Sequence, residues 1–179
     1  LTYPDSGIVA LDGVDFTLEP GQTLAVIGRT GSGKSTLAQL VARLYDPTAG
    51  NVLVDGVDLR ERDLHGLRGA IGYVPQDDAV HKTLTLRRTL QYAIELRRPG
   101  LDSMKADRLI RSVAAKLSLD ERLDTRIRRL SGGQRKRVSV AIELITDPEL
   151  LILDEPTSGL DPHLESQLMD VFADLAGSD

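Results

Sequence analysis

The stretch that decides the fold is Gly28-Arg29-Thr30-Gly31-Ser32-Gly33-Lys34-Ser35. An apolar run, Leu24-Ala25-Val26-Ile27, precedes it, and apolar residues at helical spacing follow it from Ser35 to Leu44. We therefore predict a buried strand, a glycine-rich loop and a helix, in that order. Glycines allow backbone N–H groups to turn inward, so this loop and the start of the helix can surround the negative charge of phosphates.

The residue types in this loop predict separate contacts with a nucleoside triphosphate. Lys34 would contact the β and γ phosphates, the Ser35 hydroxyl would bind Mg²⁺, and Thr36 would lie near the α phosphate. A glycine-rich turn that merely connects a strand to a helix is the alternative, which the full spacing disfavours. The predicted nucleotide-binding residues of this segment are Gly28, Arg29, Thr30, Gly31, Ser32, Gly33, Lys34, Ser35 and Thr36.

Two carboxylates follow a second apolar run, Leu150-Leu151-Ile152-Leu153. Asp154 and Glu155 would repel each other unless a metal or distinct roles separate them. Asp154 suits Mg²⁺ binding, directly or through water, and Glu155 suits the base that polarises an attacking water. An acidic turn at a strand end is the alternative, which the phosphate-binding loop upstream makes the weaker interpretation.

Gln76 comes directly after the predicted strand Ala70 to Val74 and Pro75. Its amide carbonyl could ligate Mg²⁺ or position water, so we assign it to both the catalytic and the metal-binding residues. A lone Gln in a loop is usually only solvated.

Composition excludes several classes of protein. The 179-residue chain has 41% apolar residues, a formal charge of -5 and no cysteine, which predicts an ordered globular protein without disulfides or thiolate metal sites. Its apolar runs are far shorter than the ~20 residues that cross a bilayer. We expect no nucleic-acid partner, because the acidic balance offers no general attraction. The local basic cluster should be a solvated or phosphate-facing surface; it comprises Arg126, Arg128, Arg129, Arg135, Lys136 and Arg137.

A third motif, Leu130-Ser131-Gly132-Gly133-Gln134, lies between the glycine loop and the acidic pair. Together the three motifs resemble the ATP-binding domain of ABC transporters, and the resemblance covers essentially the whole chain. It implies an α/β P-loop NTPase fold of the ABC ATPase type, with a parallel core sheet, a small antiparallel β portion and an inserted α-helical lobe. The expected organisation is a single truncated domain over residues 1–179, with the ATPase core at 1–83 and 150–179 and a mainly helical signature lobe at 84–149.

The resemblance also implies the site and its partners. ATP and Mg²⁺ are the expected cofactors, and Gln76 corresponds to the Q-loop glutamine. The signature motif of one domain, Ser131, Gly132, Gly133 and Gln134, would bind the γ phosphate held by a second ABC ATPase domain, so that two domains meet head to tail around two ATP molecules. Asp161 would belong to the D-loop at that interface. Tyr3 would stack on adenine, although a tyrosine near a terminus could equally pack in the core.

The wider protein implied by the resemblance is a transporter. A transmembrane domain, in the same or another chain, would place this domain at the cytoplasmic face of a membrane, and the transported substrate would not touch it. The first half resembles exporters, for instance at Tyr45 to Gly50. The second half, for instance Ser131 to Glu143, resembles the G subfamily, which we favour. A soluble ABC ATPase that acts on ribosomes or DNA is the rival prediction.

The family's switch histidine is not evident, because the chain ends before the loop that would carry it. His163 comes too soon after Asp161 to replace it. We therefore expect low turnover from this segment alone, and incomplete folding with no activity is a third possibility left open by the sequence.

Further elements follow from periodicity and turn residues. We predict a half-exposed strand at 14–18, a strand at 51–54, a central parallel strand at 150–153 and a helix at 164–175. Between 84 and 119 we predict helices broken at Pro99-Gly100, and a further helix opens at Gly132. The predicted inner faces of these helices are Leu37, Leu40, Val41 and Leu44; Leu86, Leu90, Ala93 and Ile94; Ile110, Val113, Ala114 and Leu117; and Val138, Ala141, Ile142 and Ile145.

Overall fold

A computed structural model of the chain describes residues 1–3, 7–77, 80–158, 160 and 162–176; for His65 and Ala176 it describes the backbone only. Within these ranges the chain forms two compact units. The first comprises residues 1–68 with Ala176, and the second comprises residues 69–175.

The first unit contains the phosphate-binding loop and a short hairpin. Helix α1 (Lys34–Val41) follows the loop, and strands β1 (Leu53–Val54) and β2 (Val57–Asp58) pair antiparallel. A 3-10 helix (Leu59–Glu61) and helix α2 (Leu64–Ala70) come next, and the last two residues of α2 are counted with the second unit. The hairpin confirms the small antiparallel portion.

The second unit is built on two parallel strands. Strand β3 (Ile71–Val74) pairs with β4 (Leu150–Leu153), Ile71 facing Leu150 and Val74 facing Leu153. Parallel neighbours need a crossover connection. The chain that connects β3 to β4 contains helices α3 (Leu86–Arg97), α4 (Ser103–Lys116) and α5 (Gly132–Leu144). Helix α6 (Pro162–Ala176) follows β4. Because the strands run parallel, their carboxyl ends meet at one edge.

The helical part of this unit has the predicted core. All eight residues predicted to face inward from α3 and from α4 with its C-cap are buried. Thr85 caps α3 by accepting from the Arg88 N–H, and Asp102 caps α4 by accepting from the N–H groups of Met104 and Lys105. On α5, Val138 and Ala141 are buried and Ile145 is buried just beyond it, while Ile142 is partly buried against the same core.

A close contact fixes α5 on the sheet. A Cβ atom added to Gly72 of β3 would lie 3.0 Å from Leu151 Cδ1, 3.2 Å from Glu143 Cβ and 3.2 Å from Pro148 Cγ. Arg97 of α3 also binds this helix, because its two Nη atoms donate to the two carboxylate oxygens of Glu143 at 2.8 Å each. Glu143 Oε2 also accepts from the Tyr73 N–H at 3.3 Å.

Two strand predictions in the first unit were wrong. Residues 14–18 and 24–27 form no strand, and the side chains of Val26 and Ile27 are 47% and 93% exposed. A strand requires a neighbour that completes its hydrogen-bond ladder, and within the described residues neither stretch has one. The apolar composition of a stretch indicates a tendency to be buried, but it does not indicate which strand would pair with that stretch.

The predicted central position of β4 was also wrong, since in the described ranges β4 pairs with β3 alone and its residues are only partly buried. The predicted inner face of α1 is confirmed for Leu40, which is buried, but it is wrong for Leu44, which is 54% exposed. The helix ends before it, and Arg43 turns the chain at a φ of 51°.

No helix in the described part of the chain is long and apolar enough to cross a membrane.

Candidate functional site

The phosphate-binding loop is an exposed turn that ends in a sharply bent glycine. Gly33 caps α1 with a φ of 92°, in the left-handed region that favours glycine. A Cβ there would also lie 2.6 Å from the Ala10 carbonyl oxygen and 2.8 Å from Leu11 Cδ2. Both the backbone angle and the close approach therefore require glycine where the loop enters the helix.

Lys34 reaches back over its own loop. Its ammonium nitrogen donates to the carbonyl oxygens of Gly28 and Arg29, both at 3.0 Å. Ser32 N donates to the Arg29 carbonyl at 3.1 Å, which closes the turn. Lys34, Ser35 and Thr36 are the first residues of α1, so their backbone N–H groups belong to the helix end that attracts anions.

Tyr3 lies beside the same helix end. Its hydroxyl hydrogen-bonds the Thr36 hydroxyl at 2.9 Å, and its ring meets the Tyr45 ring edge-on, with centroids 5.8 Å apart. Tyr3 is thus next to the predicted nucleotide-binding residues, partly exposed. Adenine stacking stays a prediction.

In the second unit, the edge where β3 and β4 end brings together the predicted catalytic residues. The Gln76 amide Nε2 donates to Glu155 Oε2 at 2.7 Å. Glu155 adopts a φ of 45°, which is unusual for a residue other than glycine. Residues held in sparsely populated backbone conformations are common at functional sites.

Asp154 is the buried member of the acidic pair. It is 7% exposed, its backbone N–H donates to the Val74 carbonyl at 2.9 Å, and its Oδ2 accepts from the Tyr73 hydroxyl at 3.3 Å. The two carboxylates therefore have different surroundings, as their different predicted roles require. Sequence reasoning missed Tyr73, although its place on the strand neighbouring β4 is a signal that could have found it.

The signature motif begins α5 through a reciprocal cap. Ser131 Oγ accepts from the Gln134 N–H at 3.2 Å, and Gln134 Oε1 accepts from the Ser131 N–H at 3.0 Å. Gly132 follows Ser131 at the exposed start of the helix, whereas Gly133 is buried. An open cleft of about 260 Å³ is lined by Gly132 of this turn together with Gln76 and Leu160.

The basic cluster was predicted to be a solvated or phosphate-facing surface, and for Lys136, which is buried, this was wrong. Lys136 is 5% exposed, and its ammonium nitrogen donates to the carbonyl oxygens of Pro75 at 2.9 Å and Gln76 at 2.7 Å. Helical spacing places Lys136 on the face shared by the buried Gly133 and Val140, so periodicity could have revealed its burial. Arg126, Arg128 and Arg129 are exposed as predicted.

The structure describes His163 but not the predicted D-loop residue Asp161. Asp161 and the neighbouring Gly159 lie outside the described residues. His163 lies exposed in the first turn of α6, where its Nε2 is 3.0 Å from Gln167 Nε2.

A family model described as ABC transporter matches residues 11–158. The chain belongs to this family. The match contains the phosphate-binding loop, Gln76, the signature motif and the acidic pair. This ABC domain is also 51% identical to the ABC transporter ATP-binding/permease protein Rv1747 of Mycobacterium tuberculosis, over 96% of the domain and 20% of that protein.

Two relatives with other functions match almost as much of the domain. The ABC domain is 38% identical to the methionine import ATP-binding protein MetN of Corynebacterium diphtheriae, over 94% of the domain and 51% of that protein. It is 41% identical to the ATP-dependent lipid A-core flippase of Thiobacillus denitrificans, over 92% of the domain and 29% of that protein. The domain thus spans between a fifth and about half of these relatives.

Solved structures give the same fold. The ABC domain matches cbiO1 from Clostridium perfringens, part of the ABC transporter complex cbiONQ, with a TM-score of 0.90 and 28% identity over 99% of the domain and 71% of that chain. It matches the ATP-binding cassette MJ0796, dimeric in a post-hydrolysis state with ADP and Pi, with a TM-score of 0.81 and 26% identity over 95% of the domain and 76% of that chain. The fold is that of an ABC ATPase, as the sequence predicted, and the chain is an ATP-binding domain of this type.

Proposed function

We propose that this domain is the ATP-hydrolysing engine of a membrane transporter. The observation that carries the proposal is the 2.7 Å hydrogen bond from Gln76 to Glu155. It holds a carboxylate and an amide together where two parallel strands end, which is where ligands bind in open α/β sheets.

Nucleotide binding is assigned to the first unit. The N–H groups of the loop from Gly28 to Gly33 and the first turn of α1 suit a triphosphate, and Lys34 supplies a positive charge. Lys34 now donates to two loop carbonyls, so it can exchange these bonds for stronger, charge-assisted bonds to phosphate oxygens. Tyr3, hydrogen-bonded to Thr36, offers an aromatic face to the base.

The donor set fits Mg²⁺, which prefers oxygen ligands and retains several waters. The Ser35 hydroxyl, the Gln76 amide oxygen and the Asp154 carboxylate would hold it, directly or through water. Gln76 uses its amide nitrogen on Glu155, so its oxygen is the atom suited to a cation. When bound, Mg²⁺ would neutralise charge on the phosphate oxygens.

Glu155 is assigned as the base. Its carboxylate would accept a proton from the attacking water, while the Gln76 amide keeps that carboxylate oriented. The buried Asp154, fixed by the Tyr73 hydroxyl, would serve the metal instead. The roles differ because Asp154 is buried and bonded to Tyr73, whereas Glu155 is only partly buried and bonded to Gln76.

A second ABC ATPase domain completes each site. The start of α5 with Ser131, Gly132, Gly133 and Gln134 would bind the γ phosphate held by that partner, because a helix N-terminus attracts anions. Asp161 would contribute at the same interface. The dimeric state printed for MJ0796 supports this arrangement.

The expected location is the cytoplasmic face of a membrane, next to a transmembrane domain in the same or another chain. The relatives support this proposal, since an ATP-binding/permease protein and a flippase are among them. They do not favour a soluble ABC ATPase on ribosomes or DNA. Methionine import and lipid A-core flipping are both named among the relatives, so the names select neither a substrate nor a direction. The boundaries 84–149 for a signature lobe remain a prediction.

The test is Glu155→Gln in the full-length protein. Loss of general base catalysis should lower ATP turnover by roughly a hundredfold or more, while ATP affinity is retained and the dimer accumulates. Steady-state turnover, equilibrium ATP binding and light scattering measure the three quantities. Glu121→Gln, the same change at an exposed site, is the control. Unchanged turnover in Glu155→Gln would overturn the role of this residue.

A further inference from the structure

The Lys136 ammonium group joins the signature helix to the loop that carries Gln76. It lies one helical turn beyond Gly132 on α5 and donates to the two consecutive backbone carbonyls that follow β3, those of Pro75 and Gln76, at 2.9 and 2.7 Å. These bonds fix the backbone of Gln76, whatever its side chain does. The start of α5 and this loop are thereby held together by one side chain.

Burial makes this lysine unusual. A lysine is almost never fully buried unless it is paired, and burying a charge is costly without hydrogen bonds. At 5% exposure Lys136 meets that requirement with charge-assisted bonds to carbonyl oxygens. An apolar side chain of similar length would fill the space without this desolvation cost, so packing alone does not explain a lysine.

The contacts continue from Lys136 to Glu155. Lys136 holds the main chain of Gln76, and the Gln76 side chain donates to Glu155 Oε2 at 2.7 Å. Three elements are thus joined in series, namely the signature helix α5, the end of β3 and the end of β4. A displacement of the start of α5 would move Gln76 and weaken its bond to Glu155.

We propose that Lys136 is a positioning residue that couples the signature turn to the orientation of Glu155 through Gln76. The proposal rests on the proposed function, because it concerns the same hydrolytic site. Contact of the signature turn with a partner's nucleotide would be transmitted to the base of its own site. In this scheme Lys136 acts on Glu155 through the backbone of Gln76, without touching nucleotide or water.

The principal test is Lys136→Met in the full-length protein. Methionine keeps the length and removes the donors, so turnover number should fall by roughly tenfold, as for other supporting contacts around a reactive group, whereas ATP affinity should stay within about twofold. Lys136→Arg retains a charged donor and should recover part of the loss. Lys116→Met makes the same change at an exposed site on α4 and should match the wild type.

A double-mutant cycle separates positioning from general destabilisation. If Lys136 acts through Gln76, Lys136→Met should cause little further loss of turnover in a Gln76→Ala background. The proposal is wrong if the loss is the same in both backgrounds, or if Lys136→Met lowers turnover only in proportion to a lowered thermal midpoint.

A readout independent of hydrolysis keeps this inference separate from the proposed function. Hydrogen exchange measured by mass spectrometry should be faster in Lys136→Met for peptides that contain Gln76 and Asp77, with no change in peptides from α4. Wild-type exchange at these peptides would overturn the coupling even if the protein hydrolyses ATP. Faster exchange in a protein that proves unable to hydrolyse ATP would instead retain the contact and reject the proposed function.

Discussion

Glu155 shows how one residue's backbone can serve its chemistry. Its φ of 45° turns the chain directly after Asp154, so the two consecutive carboxylates differ: Asp154 is buried and hydrogen-bonded to Tyr73, whereas Glu155 accepts from Gln76. Left-handed geometry costs a non-glycine residue on the order of 1 kcal/mol or more. The surrounding contacts offset that cost.

Lys34→Ala should weaken ATP binding at least about tenfold, because charge-assisted bonds to phosphates are lost. Isothermal titration with ATP measures the affinity. Lys105→Ala, which removes an exposed lysine of α4, is the matched control and should bind as the wild type does. Equal affinities for all three proteins would contradict the phosphate contact.

The ion pair between Asp58 and Arg60 should make the stability of the fold depend on pH in the acidic range. The Arg60 side chain, which donates from Nε and Nη2 at 3.0 and 2.6 Å, lowers the pKa of Asp58 from 3.8 to about 2, and the Arg60 backbone N–H assists. Since the folded-state pKa lies below the unfolded one, the ionised form stabilises the fold above pH ~4, and this contribution is lost as the pH falls toward 2.

Asp58→Asn should therefore be less stable than the wild type near neutral pH, and the difference should shrink on acidification from about pH 5 to about pH 2. Urea unfolding at successive pH values measures it. A difference that does not vary over this range would show that Asp58 has an ordinary pKa.

At the scale of elements, β3 and α5 pack closely at Gly72 and Glu143. A Cβ on Gly72 would crowd Leu151, Glu143 and Pro148 at 3.0–3.2 Å, so these neighbours would have to shift. Arg97 and the Tyr73 N–H then fix the Glu143 carboxylate at the same point. This contact matters for the proposed function because α5 begins at the signature motif and β3 leads into the loop that carries Gln76.

Gly72→Ala should destabilise the protein by about 1–3 kcal/mol through overpacking. The matched control is Gly69→Ala in α2, where a Cβ meets nothing within 4 Å and alanine should stabilise the helix by roughly 0.5–1 kcal/mol. Thermal unfolding compares the two variants. The close contact would be refuted if both shifted the midpoint upward.

The sequence predicted those elements that nearby residues in the chain determine. The inner faces of α3 and α4, the break at Pro99-Gly100 and strand β4 follow from periodicity and turn residues, and the structure has them. The stretches 14–18 and 24–27 failed because pairing depends on neighbours distant in the chain. For the site, sequence named Gln76 and Glu155 but not Lys136, because a charged side chain on a helix is ordinarily solvated.

At the scale of the whole molecule, the proposed site is shared between two domains. The phosphate-binding loop, Gln76 and Glu155 would act on one nucleotide, and the signature turn would act on the partner's. A C2 pair with isologous contacts would create two equivalent sites. A defect in the loop of one copy and a defect in the signature of the other would then fall on the same site of a mixed dimer and leave the second site intact.

Co-expression of Lys34→Ala with Ser131→Arg should restore turnover that each variant lacks alone. In a mixed dimer one site carries both defects and the other carries none, so random pairing should recover up to roughly a quarter of wild-type turnover. Differently tagged copies allow the mixed dimer to be purified and assayed.

Lys34→Ala with Glu155→Gln is the matched pair that should show no recovery, because each mixed site then keeps one defect. Recovery in this pair, or none in the first, would argue against head-to-tail sharing.

The exposed stretch Leu24-Ala25-Val26-Ile27 has a consequence during protein synthesis. It leaves the ribosome before β3 and β4, the helices and most of the core have been made. Apolar side chains and unpaired backbone groups on one extended segment attract other chains. Expression of this chain by itself should therefore yield inclusion bodies that holdase chaperones reduce, and recovery in soluble form should fall as the rate of synthesis rises.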